Sequence, residues 1–427
     1  MRLSLSAPSP RRMSLIAGAV VTGLVVAACG GGGGAKETKN VEVFSWWTEG
    51  GEKAGLDGLV TTFKKENPDY KFVNAAVAGG AGANAKNVLA SRLQSGDPPS
   101  SFQAHAGGEL ADYIKAGQLQ DLTSLFEEEG WNDVFPKGVV DLLTHEGKIY
   151  SVPANVHRGN LVWANPDVLK KAGISEVPDS IDAWIADMKK LKAKGVKTPL
   201  AVATDWTQVH LLETVLIADL GPEAYSGLWN GETDWTSSEV TTALNHYKTL
   251  LSFTNTDRSG IDWPDAVKYV TDGRAAYNVM GDWTAGSFKD QGLEQDRDWV
   301  WFPVPGTDGV FDFLADSFTL PVGAPNEAGA KAWLKTVGSA EGQQAFNTKK
   351  GSIPVRTDAE AADYDAYQQA AMEAFGKDAI VPSLAHGAAA SVGWLTDVTS
   401  AVGEFGSGQD VAKLQQALAD AADKHAG

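Results

Sequence analysis

Residues 41–52 read Val-Glu-Val-Phe-Ser-Trp-Trp-Thr-Glu-Gly-Gly-Glu. Val41, Val43 and Ser45 alternate with Glu42 and Phe44, the period-2 pattern of a half-buried or buried strand. Two adjacent tryptophans close it. Successive side chains on a strand face opposite ways, so one indole enters the core while its neighbour faces whatever lies beyond the strand end. A glycine-containing loop carrying Glu49 and Glu52 follows. Leu56, Leu59, Val60 and Phe63 then recur at helical spacing. A strand, a loop and a helix in that order begin an α/β fold, in which ligands bind outside the carboxyl ends of the strands. An indole face and a carboxylate at that place suit an uncharged, hydroxyl-rich ring: its C–H face packs on indole and its hydroxyls donate to the carboxylate.

The chain has 427 residues, enough for two domains. Its formal charge is −18, which argues against nucleic acid or an anionic lipid surface as an electrostatic partner. Residues 1–28 have a targeting composition: Arg11-Arg12 precede an apolar run from Leu15 to Ala28 that is too short for an ordinary membrane span. The run ends Val26-Ala27-Ala28-Cys29. Small residues before a lone cysteine resemble the lipobox of bacterial lipoproteins, which implies a signal peptide over 1–28, lipidation of Cys29 and an extracytoplasmic, membrane-anchored protein. Loss of Arg2, Arg11 and Arg12 with that segment takes the formal charge from −18 to −21. Cys29 is the only cysteine, so neither an intramolecular disulfide nor a cysteine metal cluster is possible. The glycines of 29–40 read as a flexible tether.

The alternation continues along the chain. Helix 54–66 ends at Asn67-Pro68, and Tyr70 to Val77 reads as a second strand. After Gly79-Gly80-Ala81-Gly82 comes a helix marked by Val88, Leu89 and Leu93. Ser101 to Ala104 is a third strand, with Gln103 and His105 pointing the same way beyond it. Strand–helix alternation predicts a parallel sheet with helices on both faces. Gly147–Pro153 and Leu161–Asn165 read as strands, with Asn155–Arg158 between them as a crossing into a second lobe. Helices are predicted over 182–194, 209–220, 265–272, 329–337, 362–375 and 411–425. Strands are predicted over 198–203 and 275–280, the second ending in Gly281-Asp282-Trp283. Val310–Leu320 reads as a return crossing.

Taken together, these stretches resemble the extracellular sugar-binding proteins of ABC importers, most closely the glucose/mannose-binding branch. The matching residues are Val41–Trp47, Gly79–Gly82, Gly96–His105, Gly147–Pro153, Val156–Arg158, Trp206–Leu211, Gly281–Trp283, Asp316–Phe318 and Lys350–Ile353. The resemblance implies a two-lobed Venus-flytrap fold of the periplasmic-binding-protein kind. Each lobe is a doubly wound α/β domain, and the chain crosses the hinge several times. Lobe 1 is expected over 41–153 plus 311–357 and lobe 2 over 154–310 plus 358–427. It implies a monomer, without cofactor, that closes on a sugar and docks on membrane permease subunits. Transferred residue by residue, it assigns sugar contact to Trp46, Trp47, Glu52, Gln103, His105, Trp263, Trp283, Asp316, Lys350 and His386, with Glu49 a rival to Glu52. Ala78 replaces a hydroxyl residue found in some relatives and leaves only backbone there.

The residues bound these assignments from the other side. Most of the 14 tryptophans must be core residues, Trp131, Trp184, Trp229 and Trp333 among them. Asp316 sits inside an apolar run and needs a partner or a ligand hydroxyl. The seven histidines are scattered without metal-ligand spacing. No nucleotide-binding loop is present, so an importer's ATP hydrolysis belongs to other subunits. A secreted glycoside hydrolase would also carry aromatics and acids in a cleft, but it needs paired carboxyl groups with one held protonated. A sugar-presenting partner of a membrane sensor is a third reading.

Overall fold

The computed structural model describes residues 39–79 and 82–425. The signal segment, Cys29, the tether up to residue 38, and Gly80 and Ala81 lie outside the described residues. No helix among the described residues is long and apolar enough to cross a membrane.

The strand Asn40–Phe44 lies near the middle of a five-stranded sheet. Lys71–Asn74 and Ser101–His105 flank it, both parallel to it. The next strand, Asp316–Thr319, is antiparallel to both Ser101–His105 and Ser151–Pro153. A second sheet of four strands runs Val300–Pro303, Leu161–Ala164, Ala275–Val279, Thr198–Ala201, with Leu161–Ala164 antiparallel to both neighbours. A sheet of three strands runs Ala379–Pro382, Val310–Leu314, His157–Arg158. The sheets are therefore mixed rather than wholly parallel.

Two of the crossings expected from sequence are resolved by residue. The chain leaves the five-stranded sheet at Pro153, adds His157–Arg158 to the three-stranded sheet, and reaches the four-stranded sheet at Leu161. The apolar run 310–320 is not one strand. It breaks at Ala315 into Val310–Leu314 and Asp316–Thr319, which belong to different sheets. Asp316 therefore stands at the first position after a change of sheet.

Element ends shift for local reasons. The first helix starts at Gly50, in its left-handed conformation at φ 55°, rather than at residue 54, which places Glu52 in the first turn. The helix expected over 209–220 spans Asp205–Asn230, but Gly221-Pro222 interrupts it with non-helical torsions. Trp283 does not end a strand; it and Trp263 are each the first residue of a helix, Trp283–Asp290 and Trp263–Thr271. One hydrophobic core surrounds the five-stranded sheet and another the four-stranded sheet. Trp131 and Trp333 are buried in the first, Trp184 and Trp229 in the second.

Candidate functional site

The strand alternation settles the two indoles. Val41, Val43, Ser45 and Trp47 all face inward and are fully buried. Trp47 packs edge-on against Phe318 and at 4.8 Å from Phe346, with the Lys350 ammonium 5.1 Å from its ring centre. It is a core residue and does not line the cavity, contrary to the expectation that it stacks on ligand. Trp46, on the opposite side of the strand, lines the cavity instead.

Trp46, Glu52, His105, Trp263, Trp283, Asp316, Lys350 and His386 come together around one cavity, so eight of the ten expected positions converge. Gln103 does not reach it. Its Nε2 donates to Asp316 Oδ1 at 2.8 Å and its Oε1 accepts from the Trp46 amide, so it braces two lining residues. Glu49 is exposed, whereas Glu52 accepts from Lys350 Nζ at 2.9 Å, so the structure favours Glu52. The Ala78 carbonyl accepts from Asn84.

His157, Trp206 and Leu314 also line the cavity and were not singled out as site residues. The rule that selected Trp46 would have found Trp206: it follows the strand Thr198–Ala201 and opens the next helix. His157 and Leu314 belong to the crossing strands, and Leu314 pairs directly with His157.

The floor is an alternation of charges. Glu52 holds Lys350, and Lys350 lies 3.9 Å from Asp316. Asp316 accepts from Asn155 Nδ2 at 2.8 Å and lies 3.2 Å from His157 Nε2. The other ring nitrogen of His157 makes a short contact with Asp282, which also accepts from Arg158 N and Tyr367 Oη. Burial alone would raise the Asp316 carboxyl, but Lys350, His157 and His105 hold it well below the usual carboxylate range. Burial alone would lower His157, yet Asp282 and Asp316 raise it above an ordinary histidine. Farther along, His105 Nδ1 and Lys86 Nζ both bind Glu109 Oε2, at 2.7 and 2.8 Å. These partners outweigh burial and bring Glu109 down to about 2.

The walls are aromatic. Trp283 is their hub, with ring centres 5.1 Å from His386, 5.3 Å from His157 and 6.5 Å from both Trp206 and Trp263. Trp46 covers His105 at 5.1 Å on the other side. Two polar atoms in the walls, Trp206 Nε1 and His386 Nε2, are buried without a hydrogen-bond partner. The space left for the centres of water-sized molecules is about 30 Å³, room for one or two waters. The walls must part before a ring-sized ligand can enter.

The Asp316 carboxylate is poorly set to act as the acid of a glycoside hydrolase. A general acid must hold its proton near neutral pH, and Asp316 is held ionised. The acids pushed upward, Glu213 to about 7 and Asp312 well above its usual range, are fully buried and do not line the cavity. His210 joins them in a group whose donor atoms lie within 4.8 Å of one another. His210 Nε2 is engaged by the Gly159 carbonyl and Glu213 by Ser383 and Ala385, which makes this a poor ready-made metal site.

Comparison with known proteins agrees with the geometry. The family model for bacterial extracellular solute-binding proteins matches residues 45–344. An uncharacterised ABC transporter extracellular-binding protein of Pyrococcus horikoshii is 35% identical over 425 residues, covering 96% of this chain and 95% of that one. A probable sugar-binding periplasmic protein of Mesorhizobium japonicum is 33% identical over 359 residues, covering 83% and 84%. Among solved structures, a chitin oligosaccharide binding protein superposes with a TM-score of 0.80 at 21% identity, over 91% of this chain and 99% of that one.

Proposed function

The chain belongs to the bacterial extracellular solute-binding protein family, and from that premise we propose that it captures a neutral sugar outside the cell and delivers it to an ABC-transporter permease. The observation that carries this reading is the cavity: four indoles, Trp46, Trp206, Trp263 and Trp283, face a fixed row of carboxylates and cations. Sugar C–H faces pack on the rings and hydroxyls pair with the charged floor. A monosaccharide such as glucose or mannose is the proposed ligand. Segments 41–153 plus 311–357 and 154–310 plus 358–427 are proposed as lobes that part to admit it. Lipidation of Cys29 is proposed to keep the monomer at the membrane beside the permease.

A calorimetric panel of hexoses, pentoses and short oligosaccharides tests the reading. At least one monosaccharide is expected to bind and to change tryptophan fluorescence; no binding across the panel would refute it. Trp283→Ala is expected to weaken that binding by at least the 0.5–1.5 kcal/mol typical of an aromatic pair. Glu52→Gln is expected to cost at least tenfold in affinity, because it leaves the Lys350 ammonium short of its carboxylate, and Glu49→Gln less than twofold. The opposite order would place Glu49 rather than Glu52 at the ligand. Turnover of a chromogenic glycoside would favour the hydrolase reading.

A further inference from the structure

His386 lines the cavity, and its Nε2 is buried with no partner within the protein. Its other nitrogen, Nδ1, lies 2.9 Å from Ser383 Oγ. The same hydroxyl lies 3.0 and 3.2 Å from the two oxygens of Glu213, and Glu213 Oε2 also accepts from the Ala385 amide at 2.8 Å. Asp312 stands beyond Glu213, fully buried, with neither oxygen otherwise hydrogen-bonded. The four residues form one chain leading from the strand Val310–Leu314 to the cavity wall.

The direction of every hydrogen bond in this chain follows from what each group can donate. Two adjacent carboxyl groups sealed from water cannot both ionise, so a proton stays between them. Placed on Asp312, it gives that orphaned group a hydroxyl that donates to Glu213. Above about pH 7 Glu213 is then the ionised member, accepting from Ala385 and Asp312. A serine hydroxyl has one proton and two lone pairs. With that proton on Glu213, Ser383 offers His386 only a lone pair. Nδ1 must therefore carry the ring proton. Burial, first, and the neighbouring His210, His105, His157 and Lys86 keep the ring from taking a second. Nε2 is left bare.

We propose that Asp312, Glu213 and Ser383 are positioning residues that fix His386 as its Nδ1–H tautomer, so that Nε2 presents a hydrogen-bond acceptor to the cavity and selects a ligand group that donates, such as a hydroxyl. The tautomer stands on the geometry alone; the selection rests on the cavity being the binding site.

Long-range proton–nitrogen NMR on the full chain with labelled histidine reads the tautomer directly, with the His386 signal assigned by its loss in His386→Ala. The Nδ1–H pattern is expected at pH 8, above the value of about 7 through which Glu213 loses its proton. Glu213→Gln, whose amide can donate to Ser383 and reverse the chain, is expected to move the pattern toward Nε2–H. Asp312→Asn keeps a donor to Glu213, is expected to keep the Nδ1–H pattern, and serves if Glu213→Gln does not fold. An Nε2–H or doubly protonated ring in the unmodified protein at pH 8, an unchanged pattern in folded Glu213→Gln at that pH, or a stoichiometric metal ion found by elemental analysis between the acids would overturn the proposal. For the ligand, D-glucose is compared with its singly deoxygenated and singly fluorinated derivatives, since fluorine cannot donate. One position is expected to lose at least tenfold in both series, and less in Glu213→Gln. If no sugar binds while the Nδ1–H pattern holds, the sugar reading falls and the tautomer assignment survives.

Discussion

Asp316→Ala is expected to abolish measurable ligand binding and to destabilise the protein by about 3–5 kcal/mol, the usual result of removing one partner from a buried charge network. The residue is almost wholly buried and holds four side chains at once: Gln103, Asn155, His157 and Lys350. Its own amide also donates to Asn155 Oδ1 at 2.8 Å. Without the carboxylate, Lys350 keeps Glu52 as its carboxylate partner, while the buried Asn155 and Gln103 side chains each lose an acceptor. Gln103 also accepts from the Trp46 amide, so the loss spreads to the aromatic wall. Chemical denaturation and calorimetry measure the two effects separately. Unchanged stability would show that solvent reaches the floor and that the charges there are worth little.

The same carboxylates set a pH signature. Asp316 and Glu109 have folded values below their unfolded ones, so each contributes stability that is present above an ordinary carboxylate pKa and lost as pH falls through the folded value. For Glu109 that window runs from 4.5 down to about 2. Glu213 has the opposite sign. Its folded value of about 7 lies above the unfolded one, so its contribution is full below 4.5 and is lost as pH rises toward 7. Stability is therefore expected to peak in mildly acid solution. Asp316→Ala is expected to flatten the acid limb and leave the limb above pH 5 in place.

Much of this was legible in the sequence because it depends on periodicity. The alternation at 41–47 foretold that one indole enters the core and the other faces the ligand side, but not which one. The choice turns on parity within the strand: Trp47 shares the fully buried side of Val41, Val43 and Ser45. The run 310–320 concealed its break, since Val310–Leu314 and Asp316–Thr319 are both apolar enough to be buried, and only pairing with two different sheets separates them. His157 escaped notice because its role depends on Asp282 and Asp316, 125 and about 160 positions away in the chain. Glu213, Ser383 and Asp312 gave no motif at all. A buried hydrogen-bond chain assembled from three distant elements leaves no local spacing to read.

Gly286→Ala is expected to weaken ligand binding with little change in the cavity's chemistry. Three glycine backbones meet here from different elements: Gly51 in the helix Gly50–Glu66, Gly286 in the helix Trp283–Asp290, and Gly351 at the end of the helix Ala340–Lys350. A Cβ on Gly51 would lie 2.7 Å from the Gly286 carbonyl carbon, and one on Gly351 would lie 2.6 Å from Gly286 N. A Cβ on Gly286 would overlap the Lys350 carbonyl. All the obstructing atoms are backbone, so relief requires the helices to move apart. Their ends carry the site: Trp283 begins one, Glu52 lies in the first turn of another, and Lys350 ends the third. Overpacking of this kind costs about 1–3 kcal/mol. If the three helices meet fully only when the lobes are closed on ligand, the cost falls on affinity, a loss of about 5- to 150-fold, and leaves unfolding of the unliganded protein nearly unchanged. Gly403→Ala is the control. It lies within the helix Val392–Gly408, where a Cβ would come no nearer than 3.5 Å to Asp205, and is expected to gain about 1 kcal/mol from helix propensity alone. Full affinity in Gly286→Ala would show that these backbones are not held together when ligand is bound. An equal loss in the stability of the unliganded protein would show instead that the contact belongs to the resting fold.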